Sequence, residues 1–209
     1  MERRHLLKAA CFAGAAFPAI SLADEGLIKL DSFPVYKQEM PYTCGPSSCR
    51  MVLEYLGVKL PEAEIAKAMG TKEAIGTSHS MYIKGYEKFL AEHETGLHPT
   101  IVKGEDGDVE MVREKVKEGL PVVASFLTEN HFKPGTAVGH YCVLIGHSLK
   151  FHEFVIANPF GYVERMGVDK FWRLAKWWPD KGDIPEVPWW RTPHVPFMKR
   201  TLIVLEKKQ

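Results

Sequence analysis

Cysteine is scarce in this 209-residue chain, at four residues, and neither sign of charge dominates: 27 Lys and Arg against 26 Asp and Glu leave a formal net charge of +1. A near-neutral chain with no basic block and no acidic tail has little field to steer it toward polyanions, so nucleic acid is not an expected partner. The nine histidines are scattered, and no C-x-x-C or H-E-x-x-H occurs. No metal and no cofactor is expected on that ground. The apolar runs are also too short and too interrupted to cross a bilayer.

What is present, 45% hydrophobic and 25% charged residues, suits one soluble domain with a real core. The first stretch, "MERRHLLKAACFAGAAFPAISLA", has a basic start, a short apolar run and a small-residue ending at Ser21-Leu22-Ala23. That is the layout of a cleavable secretory signal. Residues 1–23 are therefore set apart from a single domain over 24–209, and the protein is expected outside the cytoplasm, in a periplasm or the extracellular medium, with no stable membrane span once the signal is cleaved. Arg3-Arg4 is shared by twin-arginine signals and by ordinary basic starts, which leaves the export route open.

Removing Cys11 with the signal leaves Cys44, Cys49 and Cys142, an odd number. In an oxidising compartment at least one thiol then stays free, and a leftover thiol in an exported protein merits inspection. Cys44 and Cys49 are poor partners on one helix, because five residues turn the side chains about 140° apart. Cys49 and Cys142 are read either as a disulfide or as two small buried apolar residues.

Cys49, Val52, Leu53 and Leu56 follow helical spacing over 45–56, with Pro46 in the first turn and Gly57 as the stop. Further helices are expected at 61–69, 80–93 and 108–118. The second half changes to short Val-, Ile- and Phe-rich runs, "HPTIVKG", "PVVASFL", "HYCVLIGHS", "HEFVIANPF" and "RTLIVLEK", which read as strands. Helices first and strands later predict an α+β fold, with the Cys44 helix packed on an antiparallel sheet. Residues 177–197 hold many prolines and tryptophans and read as an ordered loop: a cover for one side of the sheet with one rim shared with the cleft, a substrate wall, or a contact surface for membrane, glycan or another protein. Trp172 suits the core better.

Cys44 stands at the start of its helix. Unpaired N–H groups and the positive end of the macrodipole there favour a thiolate, and the same amides can bind the oxyanion formed when sulfur attacks a carbonyl. Acyl transfer also needs a base. His140 opens a strand after Gly139, and a hairpin through residues 147–151 would put Asn158 at the same end as His140, where its amide can orient the imidazole. His147 falls at the far end of that strand and is a poor rival; with His152 it is read as a surface pair.

The segments "QEMPYTCGPSSCRMVLEYLG", "GHYCVLIG" and "ANPFG", in that order, resemble the papain-like cysteine peptidases of the bacteriocin-processing, double-glycine-leader family and its exported relatives. The likeness runs from about Gln38 to Trp172, with "GTSH" at 76–79 and "VDKFW" at 168–172 as weaker matches. It implies a papain-like fold, with Gln38 for oxyanion stabilisation, Cys44 as nucleophile, His140 as base and Asn158 as orienting residue. The departure is Asn158, where the bacteriocin-processing members usually carry Asp before Pro. The expected activity is hydrolysis of a peptide amide through a thioester, with a peptide or protein as substrate. Two alternatives are a papain-like acyl or isopeptide transferase and a degenerate peptidase fold that binds through its Trp-rich loop.

Overall fold

A computed structural model of the chain describes residues 20–21, 26–102, 109–129, 137–175 and 201–208. In chain order the elements are β1 (Ile20–Ser21), β2 (Leu27–Leu30), α1 (Cys44–Tyr55), α2 (Glu62–Met69), α3 (His79–Glu92), β3 (Leu97–Val102), α4 (Val109–Lys117), β4 (Val122–Glu129), β5 (Ala137–Ser148), β6 (Glu153–Asn158), β7 (Tyr162–Gly167), α5 (Val168–Ala175) and β8 (Leu202–Lys207). The four helices and five strands expected from periodicity are all there. β1, β2, β7 and α5 are additions. The 177–197 loop lies outside the described residues.

All strand pairs are antiparallel, in the order β1-β2-β5-β4-β8-β3, with β6 and β7 added beside β5. β5 is the spine: β4 pairs with 137–144, β2 continues along 146–148, and β6 occupies the opposite edge from Val143 to Ser148. The pairing with β6 slips between Leu144 and Gly146, an irregularity of the kind that bends and twists a strand. A Cβ on Gly146 would stand 2.7 Å from the Ile28 carbonyl oxygen, so the approach of β2 demands glycine there.

α1 buries Met51, Val52 and Leu53 completely among this sheet, α2 and α3, and burial of each such side chain contributes about 1.5–3 kcal/mol. α5 adds Phe171 and Trp172 to a cluster with Phe126 and Phe154, with Phe171 ring centroids 5.6 and 5.2 Å from those two phenyl rings. Trp172 is buried, as expected. Cys49 and Cys142 are buried free thiols, not a disulfide, and burial pushes both pKa values up, which makes them inert packing residues. β1 comes from the segment read as a removable signal: Ile20 and Ser21 pair with Leu30 and Lys29 of β2. Cleavage after Ala23 would take that edge strand away. Among the described residues no helix is long and apolar enough to cross a membrane.

His147 departs from the expected surface position. It is buried, and neither ring nitrogen has a hydrogen-bond partner among the described residues. The β2 edge and the rings of Phe154 and His152 enclose it. Burial, then the charges of Arg113 and His152, pull its pKa from 6.5 to about 4. Between those values the unfolded chain binds the extra proton and the fold does not, so stability is complete above pH 6.5 and falls as the pH drops toward 4. The expected loss is on the order of 2 kcal/mol after allowance for solvent screening. Urea unfolding at a series of pH values should show this slope, and His147→Phe should flatten it.

Candidate active site

The loop before α1 is fixed by its own hydrogen bonds. Gln38 N–H donates to the Pro159 carbonyl at 2.7 Å, tying this loop to the end of β6. Thr43 Oγ1 accepts from Met40 N–H at 3.1 Å and donates to Met40 O at 3.0 Å. Its hydroxyl is spent on the turn, so it does not cap α1, whose first amides keep their donor capacity. The buried Glu62 of α2 accepts from Glu39 N–H at 2.9 Å and clamps the loop from behind. Gln38 is buried, and one hydrogen of its side-chain amide goes to Met40 O at 2.7 Å. Its second amide hydrogen is a further donor.

Cys44 is the first residue of α1 and is partly open to solvent. Gly45 beside it has no room for a side chain, since a Cβ would lie 3.0 Å from both Thr77 Cβ and Thr77 Oγ1. This contact brings the "GTSH" segment against the start of α1. The thiol differs from the expectation of a helix end that simply favours the anion: surrounding protein desolvates it and pushes its pKa up. The backbone N–H groups of Tyr141, Gly45 and Cys44 pull the other way, and the nearby Glu62 carboxylate adds to the upward push. Burial wins because three neutral donors compensate only part of the hydration that a thiolate loses. The Tyr141 amide matters for another reason: it places the sulfur beside β5, one residue from His140.

His140 is buried, with Phe160 stacked on its ring at 4.2 Å between centroids and 15° between planes, and Phe126 at its edge, 5.8 Å away. Its Nε2 lies 2.9 Å from Asn158 Oδ1. The hairpin of β5 and β6 thus brings together two residues eighteen positions apart in sequence. Neighbouring Tyr141 points to the other face, where it stacks on Tyr82 at 5.0 Å and meets His79 at 5.5 Å. His79 in turn contacts Ser125 Oγ at 3.1 Å. Asn158 is buried as well; its Oδ1 accepts from Phe160 N–H at 3.0 Å, and its Nδ2 donates to Glu164 Oε1 at 2.6 Å.

Glu62, Phe160 and Glu164 were not singled out from the sequence. Glu62 resembled any first-turn helix acid, and Phe160 any turn aromatic. Glu164 carried one usable signal: "NPFG" is a tight turn, and in the ladder that follows it Glu164 sits opposite Ile156, diagonal to Asn158 on the same face. Among the described residues no three His, Cys, Asp or Glu side chains gather as a metal site.

Helices at the front, a helix starting at cysteine, and an antiparallel sheet carrying histidine on β5 and asparagine at the end of β6 define a papain-like peptidase fold. His140 does not open its strand as expected: it lies inside β5, because β4 pairs back as far as Ala137. The chain belongs to the Peptidase_C39 like family, whose model matches residues 30–179. Its fold is similar to that of a C39-like peptidase from Bacillus anthracis, with a TM-score of 0.58 and 15% identity over 88% of this chain and 99% of that one. It is also similar to the peptidase domain of Streptococcus ComA, a bi-functional ABC transporter involved in quorum sensing, with a TM-score of 0.52 and 15% identity over 84% of this chain and 99% of that domain. No curated protein sequence matches the chain.

The opposing influences on Cys44 make Glu62 a testable control. Glu62→Gln keeps an oxygen for the Glu39 amide and removes the negative charge, so the thiol pKa should fall. Iodoacetamide alkylation of Cys44, followed as rate against pH, should shift to lower pH. An unchanged profile would show that the carboxylate does not act on the sulfur.

Proposed function

We propose that the protein is an exported cysteine peptidase that hydrolyses a peptide amide bond with Cys44 as nucleophile, His140 as general base and acid, and Asn158 as orienting residue. The observation that carries this reading is the convergence of three segments distant in sequence: the Cys44 sulfur against the Tyr141 amide, His140 next to it on β5, and Asn158 bonded to His140 from β6. Family membership supports a peptide as the substrate class.

With Nε2 engaged by Asn158, Nδ1 of His140 exchanges protons with the sulfur. Burial holds the thiol protonated at rest, so His140 takes the proton as sulfur attacks the scissile carbonyl, and no preformed ion pair is required. The oxyanion that develops is met by the amide end of α1 and by the second side-chain N–H of Gln38. Collapse breaks the C–N bond, and the imidazolium returns its proton to the departing amine. The remaining thioester is hydrolysed by water, which gives a proton to His140 on attack; the sulfur then leaves and recovers that proton.

Cys44→Ala should reduce kcat on peptide substrates by about 10⁴-fold or more and remove labelling by an acyl-type thiol probe. Undiminished turnover in that variant would end the proposal. The upward push on the Cys44 pKa favours the second reading, a binder with an idle centre, and a wild-type protein that binds peptides without cleaving any member of a diverse library would establish it. Export rests on the N-terminal segment, and mass spectrometry of the secreted protein should find a chain beginning at residue 24.

A further inference from the structure

We infer that Glu164 is a positioning residue of this centre: by accepting from Asn158 Nδ2 it fixes which face of the amide meets His140, and through it the proton-bearing nitrogen of the imidazole. The inference deepens the proposed function and rests on that reading of His140 as the base.

An asparagine amide carries an acceptor at one end and a donor group at the other, and exchanging them reverses what it offers a neighbour. Asn158 has two contacts that read the difference. Glu164 presents a carboxylate 2.6 Å from one end of the amide, and a carboxylate can only accept there. The Phe160 backbone N–H, 3.0 Å from the other end, can only donate. Both demand Oδ1 toward Phe160 and Nδ2 toward Glu164. The atom 2.9 Å from His140 Nε2 is therefore an acceptor, and Nε2 must carry the hydrogen. A neutral imidazole with Nε2–H has its lone pair on Nδ1, the nitrogen that a general base uses.

Without Glu164 only one main-chain amide would hold this arrangement. A flipped amide would present Nδ2 to His140, favour the Nδ1–H tautomer and leave the base with its lone pair turned away from the sulfur. Register makes the contact short: β6 and β7 set Asn158 opposite Tyr162 and Ile156 opposite Glu164, so the glutamate reaches back diagonally across the hairpin. A hydrogen bond to a charged acceptor is also about twice as strong as one between neutral groups.

The test uses the full protein with a cleavable peptide and ¹⁵N NMR of its histidine side chains. Wild type should show His140 as the Nε2–H tautomer. Glu164→Ala should populate the Nδ1–H form and lower kcat about 10- to 100-fold with KM changed less than about twofold. Glu164→Gln, which retains an oxygen acceptor for Nδ2, should keep the wild-type tautomer and remain within about threefold of its kcat. Should Glu164→Ala fail to fold, a pair of variants carries the same question. Asn158→Asp alone sets two carboxylates against each other, whereas adding Glu164→Gln supplies a donor to the new aspartate, so the double variant should be the more active.

An unchanged tautomer and kcat in Glu164→Ala, or a double variant no better than Asn158→Asp, overturns the inference. The NMR readout needs no turnover. An active Cys44→Ala enzyme would therefore defeat the proposed function while the role of Glu164 was still decided by its own spectra.

Discussion

The hydrogen bond between His140 and Asn158 depends on the pairing of β5 with β6, and the rest of the site is arranged around it. Strand periodicity is unforgiving: a slip of one residue would turn either side chain to the opposite face and separate them. The register is held from several directions at once, by β4 along the outer half of β5, by β2 along its inner half, and by the close approach that only Gly146 permits. The main-chain bond from Gln38 to Pro159 then docks the cysteine-bearing loop onto the end of β6. Cys44 and His140, the proposed nucleophile and base, thus share one scaffold although they lie almost a hundred residues apart.

At the helix start, two opposing effects act on one sulfur. Amide donors stabilise a thiolate, while desolvation and Glu62 resist it. Glu62 cannot simply be viewed as a defect, because it also anchors the Glu39 amide and with it the turn that presents Cys44. A carboxylate buried for structural reasons therefore sets part of the electrostatic environment of the thiol. Its own pKa is raised, first by burial, which shows that the clamp itself is under electrostatic stress.

Much of this was legible in the chain. Apolar spacing located α1 to α4 to within a residue or so at their ends, and β-branched runs located five strands, because in both cases one face is buried against a neighbour and the pattern records it. The meeting of His140 with Asn158 followed from a single hairpin. β7 was missed because its exposed start, Tyr162-Val163, breaks the usual alternation, and α5 because eight residues give only two turns of pattern. The burial of His147 was missed for a different reason: nothing local marks it, since β2, distant in sequence, is what covers that end of β5. Likewise, the helix-end rule for Cys44 was sound as local chemistry and was overridden by the protein packed around it.

Phe160 lies flat on the His140 imidazole while Phe126 meets its edge and Asn158 holds one nitrogen. A ring wedged in this way is held against the half-turn about its bond that would exchange its two nitrogens. In the proposed mechanism the hydrogen it collects goes back out through the atom that received it. The aromatic stack thus acts as a bearing that has been locked, trading the mobility of an exposed histidine for a single, repeatable path.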